Sequence, residues 1–188
     1  MLEEFIGSEE RMESTNAEQV ARSLLAAWND RDLDKFLALL TDDVYWTDPA
    51  MLGSPAAGKA AVRRFAESVI TAFPDFTYAI RGSMCVSADG QRCIIPWRIT
   101  GTHLARLEPA GFMPTNRRAD FEGVDLLDFR DGLVCRVETY FDPVVPGGQL
   151  MALNLLPPPG SFRERILVTI QSAIAWWLRN VRKSIPVK

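Results

Sequence analysis

The dominant spacing of apolar residues changes between Phe73 and Phe76, and the change limits what this chain can fold into. Up to Phe73 the apolar residues recur every three or four positions, which is a helical stripe. From Phe76 they recur every second position, which is a strand buried on one face. Helices first and strands after predict an α+β domain, with the helices packed on one face of an antiparallel sheet.

A first helix starts near Thr15 or Asn16, both good caps, and carries Val20, Leu24 and Trp28 on one side. The polar knot Asn29-Asp30-Arg31-Asp32 ends it, and a short second helix follows with Leu33, Phe36, Leu37 and Leu40. Val44 to Asp48 alternates as a strand that Pro49 stops. A third helix covers about Gly58 to Phe73, with Val62, Phe65 and Val69 facing inward. Strands are then expected over Phe76–Val86, Arg92–Thr102, Ala119–Phe129 and Leu133–Phe141. Asp89-Gly90 and Asp131-Gly132 supply the hairpin turns. Pro96 inside the second of these strands predicts an edge or a bulge. Residues 104–117 read as a loop. Such a curved sheet closed by helices makes a cone with an interior pocket.

Composition excludes several kinds of site. The 188 residues hold 21 Lys and Arg against 24 Asp and Glu, a net charge of −3, and no dense basic run precedes residue 160. Nucleic acid is therefore not an expected partner. The single histidine, His103, rules out any site built on two histidines. Cys85, Cys93 and Cys135 form no CxxC pair and read as small core residues of a protein in a reducing cytoplasm. The acidic stretch 1–14 has no apolar core and reads as a flexible arm, not a secretory signal. No metal ligand set and no cofactor motif is recognisable; a P-loop, GxGxxG and GxSxG are all missing from the sequence.

What remains for chemistry is carboxylates on apolar strand faces. Asp48 shares a face with Trp46 and Val44; Asp125 shares one with Phe121, Leu127 and Phe129. Burial among such neighbours raises a carboxyl's pKa and suits it to proton transfer. Asp48 could equally cap the turn before Pro49. His103 continues the face of Trp97 and Ile99 if that strand extends so far, as a packed residue or a catalytic one. Trp28, Trp46 and Trp97 could line a pocket for a flat hydrophobic ligand or could be plain core.

The run from Asp32 to Pro49, DLDKFLALLTDDVYWTDP, resembles the opening of the ketosteroid isomerases and the wider nuclear transport factor 2-like superfamily, a cystatin-like cone. Gly101-Thr-His103, Pro114–Arg118, Glu122-Gly-Val-Asp125, Tyr140-Phe-Asp142-Pro and Gly148-Gln-Leu150 resemble SnoaL-like polyketide cyclases. The resemblance spans about residues 15–155. It implies an enzyme of secondary metabolism that works on a hydrophobic carbonyl substrate without a cofactor, by aldol-type cyclisation or enolate isomerisation. Asp48 matches the isomerase general base. Asp125 matches the acid that stays protonated and hydrogen-bonds the enolate oxygen. The oxyanion-hole tyrosine of that family falls at Leu24. His103 would orient the substrate carbonyl, and Trp46, Trp97 and Phe121 would wall the pocket. Relatives commonly pair through the outer sheet face, so a homodimer is expected, with Val124, Leu126 and Val134 as its apolar contacts. A ligand-binding or assembly module without catalysis is the alternative. Limonene-epoxide-hydrolase-like enzymes share the Tyr140-Phe141-Asp142 ending. At their Arg-x-Asp and second Asp this chain has Arg98-Ile99-Thr100 and Thr139, so that reading ranks last.

The boundaries are thus 1–14 for the arm, 15–156 for the SnoaL-like domain, and 157–188 for a proline hinge and a C-terminal helix. Ser161-x-x-Glu164 is a capping box, and Phe162, Ile166, Ile170, Ile174 and Trp177 make the apolar side. Arg163, Arg165, Arg179, Arg182, Lys183 and Lys188 stand against Glu164. A lid on its own domain is the favoured reading of this helix, ahead of a partner chain and of peripheral contact with a membrane.

Overall fold

The computed structural model describes residues 2–151 and 160–181, with side chains over 16–151 and 160–180. The chain divides into two units, Met1–Ala152 and Leu153–Lys188. The proline hinge 157–159 and the basic residues 182, 183 and 188 lie outside the described residues.

In the first unit, α1 (Leu2–Asn29) and α2 (Leu33–Ala38) precede β1 (Leu40–Thr47). A 3-10 turn (Pro49–Met51) and β2 (Ala56–Ala57) lead into α3 (Lys59–Ala72). Then come β3 (Thr77–Ile80), β4 (Cys85–Val86), β5 (Arg92–Thr102), β6 (Arg118–Arg130), β7 (Leu133–Phe141) and α4 (Val144–Met151). The helix expected at Thr15 or Asn16 begins at Leu2 instead, so residues 2–14 continue α1 rather than form an arm. That stretch is rich in Glu and has no proline, so nothing stops the helix from extending. Asp32 accepts a hydrogen bond from Lys35 N and caps α2.

The sheet order is β2-β1-β7-β6-β5-β3, with β4 also on β5. It is mixed, not purely antiparallel: β1 runs parallel to β7. Local pattern carries no trace of that pairing, because the two strands lie far apart in sequence. Asp131 and Gly132 both take positive φ, 54° and 75°, as the β6–β7 hairpin turn requires.

Two irregularities bend the sheet. Register shifts between Leu40 and Tyr45 on β1, and between Asp128 and Phe129 on β6. On β7, Val134 and Val137 are consequently both fully buried although three residues apart. Val134 therefore belongs to the core, not to an outer apolar face, while Val124 and Leu126 are half-buried. Strand β3 stops at Ile80 and β4 resumes at Cys85. Pro96 faces that break: its carbonyl accepts from Arg81 N, so its missing N–H points to the same interrupted edge.

The sheet's inner face packs against α1, α2 and α3 around Phe36, Leu40, Val62, Ile95 and Leu127, each at most 1% exposed. Burying side chains of this size contributes about 1.5–3 kcal/mol apiece. Cys93 joins them and Cys135 is half-buried, but Cys85 is exposed on a two-residue strand. Helix α4 was hidden in the sequence by Pro146, Gly147 and Gly148. It holds because Asp142 Oδ1 accepts from Val144 N at its start. Its Gln149 amide also bonds both Asp120 N and Asp120 O, where β6 runs past the last β7 partner.

Candidate active site

Position 125 on β6 sits opposite Ile95 on β5 and Thr139 on β7, so its side chain points into the helix-covered face. Asp125 is 5% exposed. Tyr78, on β3, crosses from the far side of β5 and its hydroxyl donates a short hydrogen bond to Asp125 Oδ2. Asp125 Oδ1 is buried and has no partner. Burial raises the Asp125 pKa; Tyr78, Thr139 and Trp97 pull it the other way. Burial beside Asp125 also drives the Tyr78 phenol well above its ordinary value, so it is a donor only.

Asp48 follows the last residue of β1. Its Oδ1 accepts from Ala50 N at 2.7 Å, so it does cap the turn before Met51. Asp48 as a whole is half-buried, and its carboxyl is largely withdrawn from water. Burial, reinforced by the Asp125 charge and opposed by the Ala50 N–H, lifts its pKa to about 7. The two acids are thus close enough to sense one another, and neither is an ordinary surface carboxylate.

The walls are aromatic. Trp97 is 1% exposed and makes edge contacts with Tyr78 at 5.6 Å and Phe121 at 5.8 Å. Its indole lies over Gly123: a Cβ there would come within 2.5 Å of the ring, so only glycine fits. Trp97 Nε1 is a second buried polar atom with no partner. Trp46 donates through Nε1 to Thr139 Oγ1 at 3.1 Å and packs against Trp28 at 5.8 Å. Trp28 Nε1 is a third such atom.

Other expected members lie elsewhere or differ in role. His103 follows β5, eight residues beyond the position opposite Asp125, or on the order of 25 Å of extended chain. It is buried and stacked on Phe73 at 5.0 Å, burial lowers its pKa, and neither ring nitrogen has a partner. Leu24 is buried in the α1 core, where a tyrosine would have to be to match the isomerases. The phenol that touches Asp125 comes instead from Tyr78, on the opposite wall. A tyrosine on the apolar face of β3 was the visible signal, but nothing local linked it to an acid 47 residues away. Arg98 points outward and pairs with Asp120 at 2.6 and 2.7 Å, which removes it from any epoxide-opening role. Among the described residues no three His, Cys, Asp or Glu side chains converge to hold a metal ion.

The SnoaL-like domain family model matches residues 21–137. No curated protein matches. A candidate polyketide cyclase of Pseudomonas putida KT2440 is 23% identical, with a TM-score of 0.63 over 71% of this chain and 97% of its own. A candidate SnoaL-like polyketide cyclase of Jannaschia sp. CCS1 is 16% identical, with a TM-score of 0.64 over 76% and 94%. A Mycobacterium tuberculosis protein solved with estradiol-17β-hemisuccinate is 20% identical, with a TM-score of 0.56 over 69% and 96%. At such identities the likeness establishes a shared fold, the nuclear transport factor 2-like cone.

Proposed function

The chain belongs to the SnoaL-like domain family, and from that premise we propose that it catalyses proton transfer on a hydrophobic carbonyl compound, as an aldol-type cyclase or an enolate isomerase. The observation that carries this reading is the state of Asp125: one carboxyl oxygen held by Tyr78, the other buried and unpartnered. A protonated Asp125, accepting Tyr78 at Oδ2, presents an O–H from Oδ1 to a substrate oxygen. Asp48, ionised and open to the ligand, removes the α-proton. As negative charge develops on the substrate oxygen, the Asp125 hydrogen bond strengthens, and Trp97 Nε1–H is a further donor within the same wall. Trp97, Phe121 and Trp46 supply apolar surface and exclude water. That the Mycobacterium tuberculosis relative holds a steroid ester is in keeping with a flat hydrophobic ligand.

The test is solvent deuterium incorporation. Cyclic β-diketones and β,γ-unsaturated ketones in deuterated buffer near neutral pD should exchange their α-protons faster with the protein than without it. Asp48→Asn should abolish the excess while the fold persists. Tight binding of these ketones with exchange at the buffer rate would establish the alternative, a ligand-binding module without catalysis.

A further inference from the structure

Helix α5 (Phe162–Val181), in the second unit, is absorbed by none of the above. It extends about 30 Å. At 100° per residue Ile166, Ile170, Ile174, Leu167, Trp177 and Leu178 fall in one arc roughly 120° wide. All six are exposed. Arg165, Arg179, Glu164 and Gln171 lie on the other side, interrupted by Val168 and Ala175. Trp176 lies on the polar side, next to Arg165. Arg163 falls within the apolar arc but in its first turn, where a long side chain can reach back to the polar layer.

We propose that α5 lies in the interface of an anionic lipid bilayer, its apolar arc among the acyl chains and its cations among the headgroups. Charge decides the occupant. Residues 157–188 carry six Lys and Arg against Glu164, a net of +5, whereas the whole chain is −3; the preceding 156 residues therefore carry −8. An acidic body is repelled by an anionic surface, and a segment that concentrates the opposite charge beside a wide apolar arc is the means of holding it there. A protein groove would need an apolar face of matching width. On the first unit the large exposed apolar side chains are scattered singly, such as Leu52, Leu104, Met113 and Tyr140. Among the described residues no helix is long and apolar enough to cross a membrane, so the helix lies along the surface.

The full chain should co-sediment with phosphatidylcholine vesicles containing about a third phosphatidylglycerol, at least tenfold more strongly than with phosphatidylcholine alone. Raising NaCl from 0.1 to 0.5 M should weaken this binding severalfold. Ile170→Asp combined with Ile174→Asp should abolish it. Arg165→Glu combined with Arg179→Glu, which keeps the apolar arc, should remove only the preference for anionic vesicles. Circular dichroism and thermal melts, read in parallel, separate these effects from misfolding. Absence of binding to anionic vesicles overturns the proposal. So does vesicle binding that survives the double aspartate variant, or a stable dimer in solution that the same variant dissociates.

Discussion

Strand β6 carries acids on both faces, and the two faces treat them in opposite ways. Asp120, Glu122 and Asp128 point outward, where Arg98, Arg81 and Arg92 meet them across the neighbouring strand. The Arg98 guanidinium beside Asp120 holds that carboxyl below its usual range. Asp125, on the same strand, points inward to a tyrosine, with its other oxygen buried and unpartnered, and burial pushes its pKa up. Outside, a carboxylate finds water and a cation and stays ionised. Inside, it finds apolar atoms, which favour the neutral acid, and a phenol whose hydrogen bond opposes them only in part. The difference is one residue of register.

The sharpest way to break this comparison is Asp48→Asn, which removes the base while keeping an acceptor for Ala50 N. Turnover should fall about 10²–10⁴-fold. In the wild type, kcat/KM should climb as pH passes through about 7, where Asp48 ionises. Stability should move the other way. The folded pKa lies above the ordinary 3.8, so Asp48 costs nothing below about pH 4, increasingly more toward pH 7, and its full penalty above. The Asn variant should therefore be more stable at pH 8, by on the order of 2 kcal/mol once the partial exposure of Asp48 is allowed for, and unchanged at pH 4. Denaturant melts at the two pH values check the sign.

Tyr78→Phe tests the inner face itself. It removes the Tyr78 hydrogen bond from a carboxyl whose residue is only 5% exposed. Unfolding free energy should drop about 1–3 kcal/mol and turnover about tenfold. A variant as stable as wild type would mean that water replaces the phenol and the face is wet.

Gly123→Ala should cost about 1–3 kcal/mol, since Trp97 must leave its place over the strand. A shift in tryptophan emission should accompany it. The smallest effect belongs outside: Asp120→Asn breaks an exposed pair and should shift Tm by about 2 °C or less, with activity unchanged. A large loss there would put the outer face into the site and erase the contrast.

Much of this was legible in the chain. The switch of period at residues 73–76 set helices before strands, and alternation placed Asp125 with Leu127 and Phe129 on the buried side. Those are local properties, because a side chain's face follows from its parity within a strand. The Asp-Gly turns and the Gly58–Phe73 helix were readable for the same reason. What pattern could not reach was every relation across the sheet. Parity failed at Val134, where an extra residue in β7 turned a predicted outer side chain inward. It could not bring β1 alongside β7, nor carry Tyr78 to Asp125, nor keep His103 away from the acids. Sequence by itself determined which residues are apolar, which turn, and which acids have no charged neighbour on their own face of a strand. Tertiary structure alone decided which of them meet, because strand register and bulges are settled by the packing of the whole sheet and not by any segment of it.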